Sequence, residues 1–264
     1  RGDPRLANYI IEHSWLWLTQ QAHHEDFWSP PVFYPEPNVG AFSDTLVGSA
    51  PFYWIWRMIG FPASAAFQLW MMTCLSLNFL LAYLFLVRLE LGSWPSAMGA
   101  FLFGFGINRV ANFNSPQLFL LFYSMLAFYA ALRALEPARP GVTTRRGLWV
   151  FVFFAGLVGQ AWSAYYPAFF SIFLLGLAGL VSVFISRARR LLFGLLRSHP
   201  LACGIALVLS IAAIWPMASA HLAAGRRLPS LRKSFVPKHF PRWISRRPGP
   251  FAPDGAVRQR ISRF

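Results

Sequence analysis

The chain has 264 residues, of which 56% are hydrophobic, 17% aromatic and only 12% charged. Soluble domains carry about 25% charged residues because their surfaces must be solvated, so this composition excludes an ordinary soluble protein. The formal net charge of +15 does not indicate nucleic-acid binding, because the arginines lie in short connections between apolar runs or near the C-terminus. The sequence therefore predicts a helical protein that crosses a membrane several times.

Residues 1–63 are predicted to form a loop outside the membrane that carries juxtamembrane helices. An amphipathic helix is expected at about Arg5–Gln21. Its apolar side is predicted to consist of Leu6, Tyr9, Ile10, His13, Leu16 and Trp17. After a proline-rich stretch, an aromatic helix is expected from Ser43 to Met58 in the headgroup layer, with Ser43 or Asp44 as its N-cap.

Six spans or half-spans are predicted in residues 64–222, since a crossing needs about 20 apolar residues. They are Ser64–Val87, Pro95–Ile107, Pro116–Leu135, Gly147–Ala164, Tyr165–Ile185 and Pro200–Leu222. In this arrangement the arginine-rich connections share one side, so the positive-inside rule places the N-terminal loop outside the cytoplasm. We therefore expect an all-α, multi-pass bundle in the inner membrane.

Two further expectations concern packing and the chain ends. The pairs Gly156/Gly159 and Gly176/Gly179 are predicted to let helices approach closely. Residues 223–264 contain no apolar span and are predicted to be a basic, disordered tail. The acidic, aromatic loop starts directly at Arg1, so we expect the chain to be a fragment whose first span is missing.

Most carboxylates of the chain lie in the N-terminal loop, where they are candidates for chemistry at the membrane surface. Asp3, Glu36 and Asp44 are candidates for a general base. Each also has a structural alternative: Asp3 and Asp44 could cap helices, and Glu36, between Pro35 and Pro37, could mark a rigid turn. A carboxylate in this position could also bind a divalent metal, although no metal ligand is assigned.

Histidine and arginine side chains add two weaker signals. The run His23-His24-Glu25-Asp26 resembles a metal patch, but it lacks the spacing of known zinc motifs, so a solvated loop is favoured. Arg109 is either a phosphate clamp near the lipid headgroups or an interfacial anchor.

A series of short motifs runs through the loop and the spans that follow it. They are Gly2-Asp3-Pro4 with Leu6 and Asn8, His23-His24 before Asp26-Phe27-Trp28, Phe33-Tyr34-Pro35-Glu36-Pro37-Asn38, Ala41-Phe42-Ser43-Asp44, Val87-Arg88-Leu89, Asn108-Arg109 and Ser163-Ala164-Tyr165-Tyr166. Over roughly residues 1–222 this pattern resembles bacterial glycosyltransferases of the GT-C fold, which use polyprenyl-phosphate sugars. The chain departs from that family because it lacks the first span, the later spans and any soluble outer domain, so the fragment could be inactive.

The resemblance implies inverting transfer of a sugar from a polyprenyl-phosphate donor to a lipid or glycan acceptor at the outer face of the membrane. Asp3 matches by position the catalytic acid of the family's first outer loop. The second acid of that loop would be Glu36 or Asp44.

The resemblance also implies residues that bind the donor. The departing lipid phosphate is anionic and needs cationic stabilisation, for which Arg109 and Arg57 are the candidates. His24 and Tyr34 are further predicted substrate contacts in the same loop. Membrane lipids are the other expected partners, and nucleic acid is not.

Two alternatives remain beside the enzyme. A lipid or solute transporter or flippase predicts ionisable or broken-helix features at mid-membrane, whereas the mid-span polar residues are few and uncharged: Gln68, Asn78, Gln160 and Ser210. In a non-catalytic membrane scaffold the acid-rich loop would simply be solvated.

Overall fold

The computed structural model describes residues 3–34, 36–107, 115–136 and 145–235, and within these residues all regular structure is helical. The α-helices are α1 (Asp3–Leu18), α2 (Ala50–Met58), α3 (Ala63–Arg88), α4 (Ser93–Phe105), α5 (Phe122–Leu135), α6 (Arg146–Ser163), α7 (Tyr165–Phe184), α8 (Ser186–Ser198) and α9 (Pro200–Phe235). Short 3₁₀ turns cover Pro31–Phe33, Val39–Phe42 and Pro116–Phe119. The chain divides into two units, Arg1–Ala224 and Gly225–Phe264, and the features described below lie in the first.

Four segments are long and apolar enough to cross a membrane: Ala63–Arg88, Pro116–Leu135, Tyr165–Phe184 and Pro200–Arg226. They confirm a helical membrane protein and four of the six predicted spans as candidates. The other two predicted spans form α4, with 13 residues, and α6, with 18 residues that begin at Arg146. Their crossing of the membrane stays a prediction, because a full crossing needs about 20 residues.

The candidate spans differ in how much of their surface the protein covers. In the segment Pro116–Leu135, 44% of the apolar window is buried, whereas only 6% is buried in Pro200–Arg226. The first segment is therefore central in the bundle, while α9 lies at its edge. The exposed leucines, isoleucines and valines of α9 form a face suited to lipid rather than to water.

The bundle has two chemically different ends. Residues 3–62, which we call the head, pack on the first turns of α3 in a core that includes Ile11, Tyr53 and Trp70. The indole of Trp70 donates a hydrogen bond to the Ser49 carbonyl oxygen over 3.2 Å. At the opposite end of α3, Arg88 pairs with Glu136 at the end of α5. We call these the head end and the basic end.

The central span is broken close to the head end. A 3₁₀ turn ends at Phe119, two residues follow without helical structure, and α5 then begins. The amide of Asn78 donates to the Phe119 carbonyl oxygen over 2.6 Å and accepts from the Leu121 amide over 3.2 Å. Gln160 donates to the Leu120 carbonyl oxygen over 2.5 Å. The break is stable because buried side chains satisfy its backbone groups.

Three expectations about the head and helix packing were wrong. The side of α1 that is buried consists of Ala7, Ile11 and Ser14, together with His13, rather than the predicted stripe that includes Leu6. The side of α1 that carries Ser14 is buried because it faces α2, where the indole of Trp54 donates a hydrogen bond to the Ser14 hydroxyl over 3.0 Å. The helix expected from Ser43 begins only at Ala50, and the last span continues beyond Leu222.

The glycine pairs behave differently from each other. A Cβ at Gly156 would come within 2.9 Å of the Tyr123 carbonyl oxygen, and one at Gly159 would meet the ring of Tyr123 at 2.8 Å. This pair therefore allows α5 and α6 to approach closely, as predicted. The pair Gly176/Gly179 faces no atom within 4 Å, so the expectation of close packing was wrong for α7.

Candidate functional site

Asp44 holds together two parts of the chain that are distant in sequence. Its Oδ1 accepts a hydrogen bond over 2.7 Å from the backbone amide of Tyr165, the first residue of α7. The first amides of a helix have no partner within the helix, so a carboxylate there acts as a cap. The predicted role of Asp44 as the cap of a Ser43–Met58 helix is therefore wrong, since Asp44 caps α7 instead.

Neighbouring contacts fix the segment that carries Asp44. The Thr45 hydroxyl donates to the Trp162 carbonyl oxygen over 2.7 Å, and the Gly48 amide donates to the same oxygen over 3.0 Å. The Tyr123 hydroxyl donates to the Gly48 carbonyl oxygen over 2.8 Å. The carboxylate is thus positioned by the turn between α6 and α7 and does not depend on its own loop alone.

Burial and one histidine set the electrostatics of Asp44. Desolvation raises the pKa of this carboxyl, while the hydrogen bond from Tyr165 and the nearby His221 oppose the rise. The ring of His221 lies edge-on to the ring of Tyr165, with 4.9 Å between centroids. His221 Nδ1 is 2.8 Å from the Met217 carbonyl oxygen, which can only accept, so Nδ1 carries a proton.

A small cavity lies directly against Asp44. Its volume is about 90 Å³, and it is lined by Leu6, Ala7, Ile10, Ser43, Asp44, Leu46 and Gln117. A cavity of this size accommodates a small polar group or a few waters, since a water occupies about 30 Å³ of liquid. On α1, position 3 is three and four residues before Leu6 and Ala7, so helical spacing puts it on the cavity-lining stripe. The side chain of Asp3 is outside the described structure.

A larger apolar groove is formed by α4, the 3₁₀ turn Pro116–Phe119, α5 and α7. It measures about 400 Å³, which is within the usual range for small-molecule sites. Its walls are Phe103, Leu118, Phe119, Leu121, Ser124, Met125, Phe128, Tyr166, Pro167, Phe170, Ser171 and Leu174. The two serines share a hydrogen bond of 2.6 Å and are buried, so the surface offered to a ligand is hydrocarbon. Tyr166 directly follows the residue that Asp44 caps.

Arg57, a predicted donor contact, lies in a separate cluster. Its Nη2 is 2.9 Å from Oε1 of Glu12, and its guanidinium lies 5.9 Å above the ring of Trp15. The hydroxyl of the buried Tyr53 donates to the other oxygen of Glu12, and burial raises the pKa of Tyr53. Glu12 therefore already neutralises the charge of Arg57.

His24, another predicted substrate contact, is paired within the head. Its Nδ1 is 2.6 Å from Nδ1 of the buried His13, whose Nε2 is 3.0 Å from the Phe27 carbonyl oxygen. One of the two Nδ1 atoms must accept, so at least one of the rings is neutral in this arrangement. Burial lowers the pKa of both histidines.

The other predicted site residues are not near Asp44 or are outside the described residues. Tyr34 is 86% exposed, and Glu36 is half buried between two 3₁₀ turns. Neither is among the described residues that line the two cavities. Arg109 is in the segment 108–114, which is outside the described residues. In the part of the chain that is described, no three His, Cys, Asp or Glu side chains converge on a metal-sized site.

Sequence reasoning missed His221, the structural role of Gln160 and the pairing of Asp44 with α7. No local motif includes His221. Its place just after an apolar run, near the end of the predicted span Pro200–Leu222, is the signal that could have identified it. The other contacts join residues far apart in the chain. No family model, curated protein or solved structure matches this chain.

Proposed function

We propose that this chain is the membrane part of a glycosyltransferase that moves a sugar from a polyprenyl-phosphate donor to a lipid or glycan acceptor. The observation that carries the proposal is the apolar groove of about 400 Å³ whose wall includes Tyr166, next in sequence to the residue that the half-buried Asp44 caps. In the proposal the bundle crosses the inner membrane six times, and the head lies outside the cytoplasm.

The groove suits the isoprenoid chain because its accessible walls are aromatic and aliphatic. The sugar and phosphate of the donor would then emerge at Tyr166, next to Asp44. The chemical step is a displacement at the anomeric carbon: the acceptor oxygen bonds to this carbon, the bond from carbon to the phosphate oxygen breaks, and the lipid phosphate leaves with its electrons. The acceptor's proton passes to Asp44.

The raised pKa of Asp44 favours this role, because a base is most effective when its pKa approaches the working pH. Position 3 is on the same cavity-lining stripe of α1, so Asp3 is the second acid of the proposed site. Arg57 contributes less to phosphate binding than the sequence predicted, because Glu12 neutralises it. Arg109 remains the proposed phosphate contact.

Transfer is tested in membranes that contain the full-length protein and labelled polyprenyl-phosphate sugars. Leu174 lines the groove, whereas Leu177 is on the same helix and is also exposed but is not a lining residue. Leu174→Trp is expected to raise the KM for the donor severalfold, and Leu177→Trp is expected to leave it unchanged. Absence of transfer with any sugar donor, or equal effects of both variants, would contradict the proposal.

The broken central span gives one observation in favour of a lipid flippase, because discontinuous spans often border transported substrates. In flippases and transporters, however, the freed backbone groups face the substrate. Here the side-chain amides of Asn78 and Gln160 donate hydrogen bonds to these backbone groups. Translocation of a fluorescent polyprenyl lipid in proteoliposomes, without any sugar transfer, would favour the flippase.

A further inference from the structure

Helix α8 presents three different faces. Ala188, Leu191, Leu192 and Leu195 follow the helical repeat and turn toward the bundle, where Leu195 is buried against α5, α6 and α9. Phe193 and Leu196 form a second, apolar face that is 48% and 45% exposed. The third face carries Arg187, Arg190 and Arg197, while Arg189 lies on the stripe of Leu192 and Leu196. A helix with this division lies in the plane of the membrane surface rather than across it.

The arginines of α8 have no acidic partner among the described residues. Arg187, Arg189, Arg190 and Arg197 are all exposed, and the described part of the chain provides no salt bridge for any of them. Arg189 reaches only the Val183 carbonyl oxygen, at 3.5 Å.

Glu136 binds three other arginines at this end. Its carboxylate accepts from Arg88 and lies 3.8 Å from Arg133 Nη1, and its backbone oxygen accepts from Arg146. Glu136 thus contacts arginines of three helices, whereas the four arginines of α8 have no acidic partner among the described residues. Among the described residues, α8 therefore carries most of the arginines at this end that contact no carboxylate.

An apolar cavity lies between α8 and the bundle. It measures about 380 Å³ and is almost wholly apolar. Its lining comes from α5, α6, α8 and α9 and includes Leu192, Leu196, Cys203 and Gly204. Arg189 is three and seven residues before Leu192 and Leu196, so it continues the stripe of α8 that borders the cavity.

We infer that the basic end binds an anionic glycerophospholipid, with an acyl chain in the cavity beneath α8 and the phosphate against the α8 arginines. Charge complementarity selects this occupant, because the site joins a hydrocarbon-lined volume to cations that lack a counterion. Basic pockets between membrane helices bind anionic headgroups in this way. The site shares no lining residue with the proposed donor groove, and it does not depend on the proposed enzyme activity.

The test measures how strongly spin-labelled phosphatidylglycerol and phosphatidylcholine with the same acyl chains associate with the full chain in phosphatidylcholine vesicles. The protein is expected to retain phosphatidylglycerol preferentially. One arginine near a membrane surface is worth about a fivefold preference for an anionic lipid, so Arg189→Gln should lower the ratio of association constants about fivefold. Arg145→Gln, at an exposed position that is not on the stripe of α8 bordering the cavity, should lower the ratio clearly less.

A second pair of variants tests the acyl-chain cavity. Gly204 lines the cavity, and a Cβ added there meets no atom within 4 Å, so Gly204→Phe fills the space without a backbone clash. Gly179→Phe is the matched control, because Gly179 is equally unobstructed on α7 and lines no described cavity. Gly204→Phe should release the retained phosphatidylglycerol, and Gly179→Phe should not. Equal behaviour within either pair of variants, or stronger retention of polyprenyl phosphate than of phosphatidylglycerol at this site, would overturn the assignment.

Discussion

The head end and the basic end of the bundle are stabilised by different kinds of contact. The head contacts the bundle through hydrogen bonds to backbone groups, as when Thr45 and Gly48 donate to the Trp162 carbonyl oxygen, and its ion pair of Arg57 with Glu12 is internal to the head. At the basic end, the contacts are between ions that remain partly exposed, such as Arg88 and Glu136 at 31% and 22%. Contacts of the first kind are insensitive to salt, whereas those of the second kind weaken as salt screens them.

This difference bears on where ligands bind. The polar groups of the head end mostly bond to one another or to the backbone, and Asp44 caps α7, which contributes Tyr166 to the apolar groove. At the basic end, Glu136 binds Arg88, Arg133 and Arg146, and the arginines of α8 have no acidic partner among the described residues. In our two proposals, the head end therefore binds a lipid-linked donor and the basic end binds an anionic lipid.

The largest expected effect comes from removing the side chain that stabilises the broken span. Gln160→Leu leaves the Leu120 carbonyl and the Ser124 amide without their partner, while the Ser124 hydroxyl keeps its hydrogen bond with Ser171. Each unsatisfied buried group costs about 1–3 kcal/mol, so the free energy of unfolding should fall by about 2–6 kcal/mol. Gln68→Leu, at an exposed position of α3, is the control and should cost nothing measurable in reversible SDS unfolding. A loss below about 1 kcal/mol for Gln160→Leu would show that the break does not need its amide.

Gly48→Ala tests the close contact between the head and the bundle. An added Cβ would overlap the Gly159 carbonyl oxygen and the Ser163 hydroxyl, and the first of these is backbone and cannot move aside. Overpacking of this kind costs about 1–3 kcal/mol, and thermal unfolding should show a loss near the upper end of that range. Gly176→Ala meets no neighbouring atom within 4 Å and should be neutral. Equal stability of the two variants would mean that the head does not rest on this contact.

Glu136→Gln tests the basic end. The substitution leaves Arg88 and Arg133 without their carboxylate, and we expect a loss of about 2 kcal/mol at low salt, because hydrogen bonds to charged groups are worth about 1.5–3 kcal/mol. The loss should shrink in high salt, unlike the effect of Gly48→Ala. Glu90→Gln is the control at the same end, since Glu90 is exposed and forms no salt bridge among the described residues. A salt-independent loss would contradict the ionic description of this end.

The smallest expected effect is a pH dependence of the head. The pKa values of His13 and His24 are lowered from 6.5 by burial, so below pH 6.5 the unfolded chain binds more protons than the folded chain. The stability that the pair contributes is therefore complete above pH 6.5 and decreases as the pH falls below it. Melting temperatures measured from pH 7.5 downwards should decrease, and His24→Gln should flatten that decrease. An unchanged pH profile in the variant would assign the effect to other groups.

Much of the fold follows from local composition. The spans Ser64–Val87 and Tyr165–Ile185 were predicted within one residue of α3 and α7, because a long run without ionisable groups has few alternatives in a membrane. The connection with Arg187 to Arg197 was treated as a loop, although it forms α8. Its apolar positions at 188, 191, 192 and 195 already show helical spacing, so this signal was present in the sequence and was overlooked.

The candidate site was less predictable, because the contacts that build it have no local signature. Asp44 precedes an aromatic helix, which favoured a local cap, yet its partner is Tyr165, 121 residues later. Asn78 and Gln160 were noted as uncharged polar residues within spans, and their role became visible only when the broken span was placed between them. A polar residue inside a span indicates a buried hydrogen bond, but tertiary packing decides which group is its partner.

The central claim is that Asp44 acts chemically and does not merely cap α7, and one pair of variants separates these roles. Asparagine caps helices as well as aspartate does, so Asp44→Asn should preserve the contact with Tyr165 while removing the base. We expect the full-length Asp44→Asn protein to melt at the temperature of the unaltered protein and to transfer labelled sugar about 10²–10⁴-fold more slowly, whereas Asp44→Ala should lose both stability and transfer. Transfer by Asp44→Asn at the rate of the unaltered protein would contradict the claim and leave Asp44 with only its structural role.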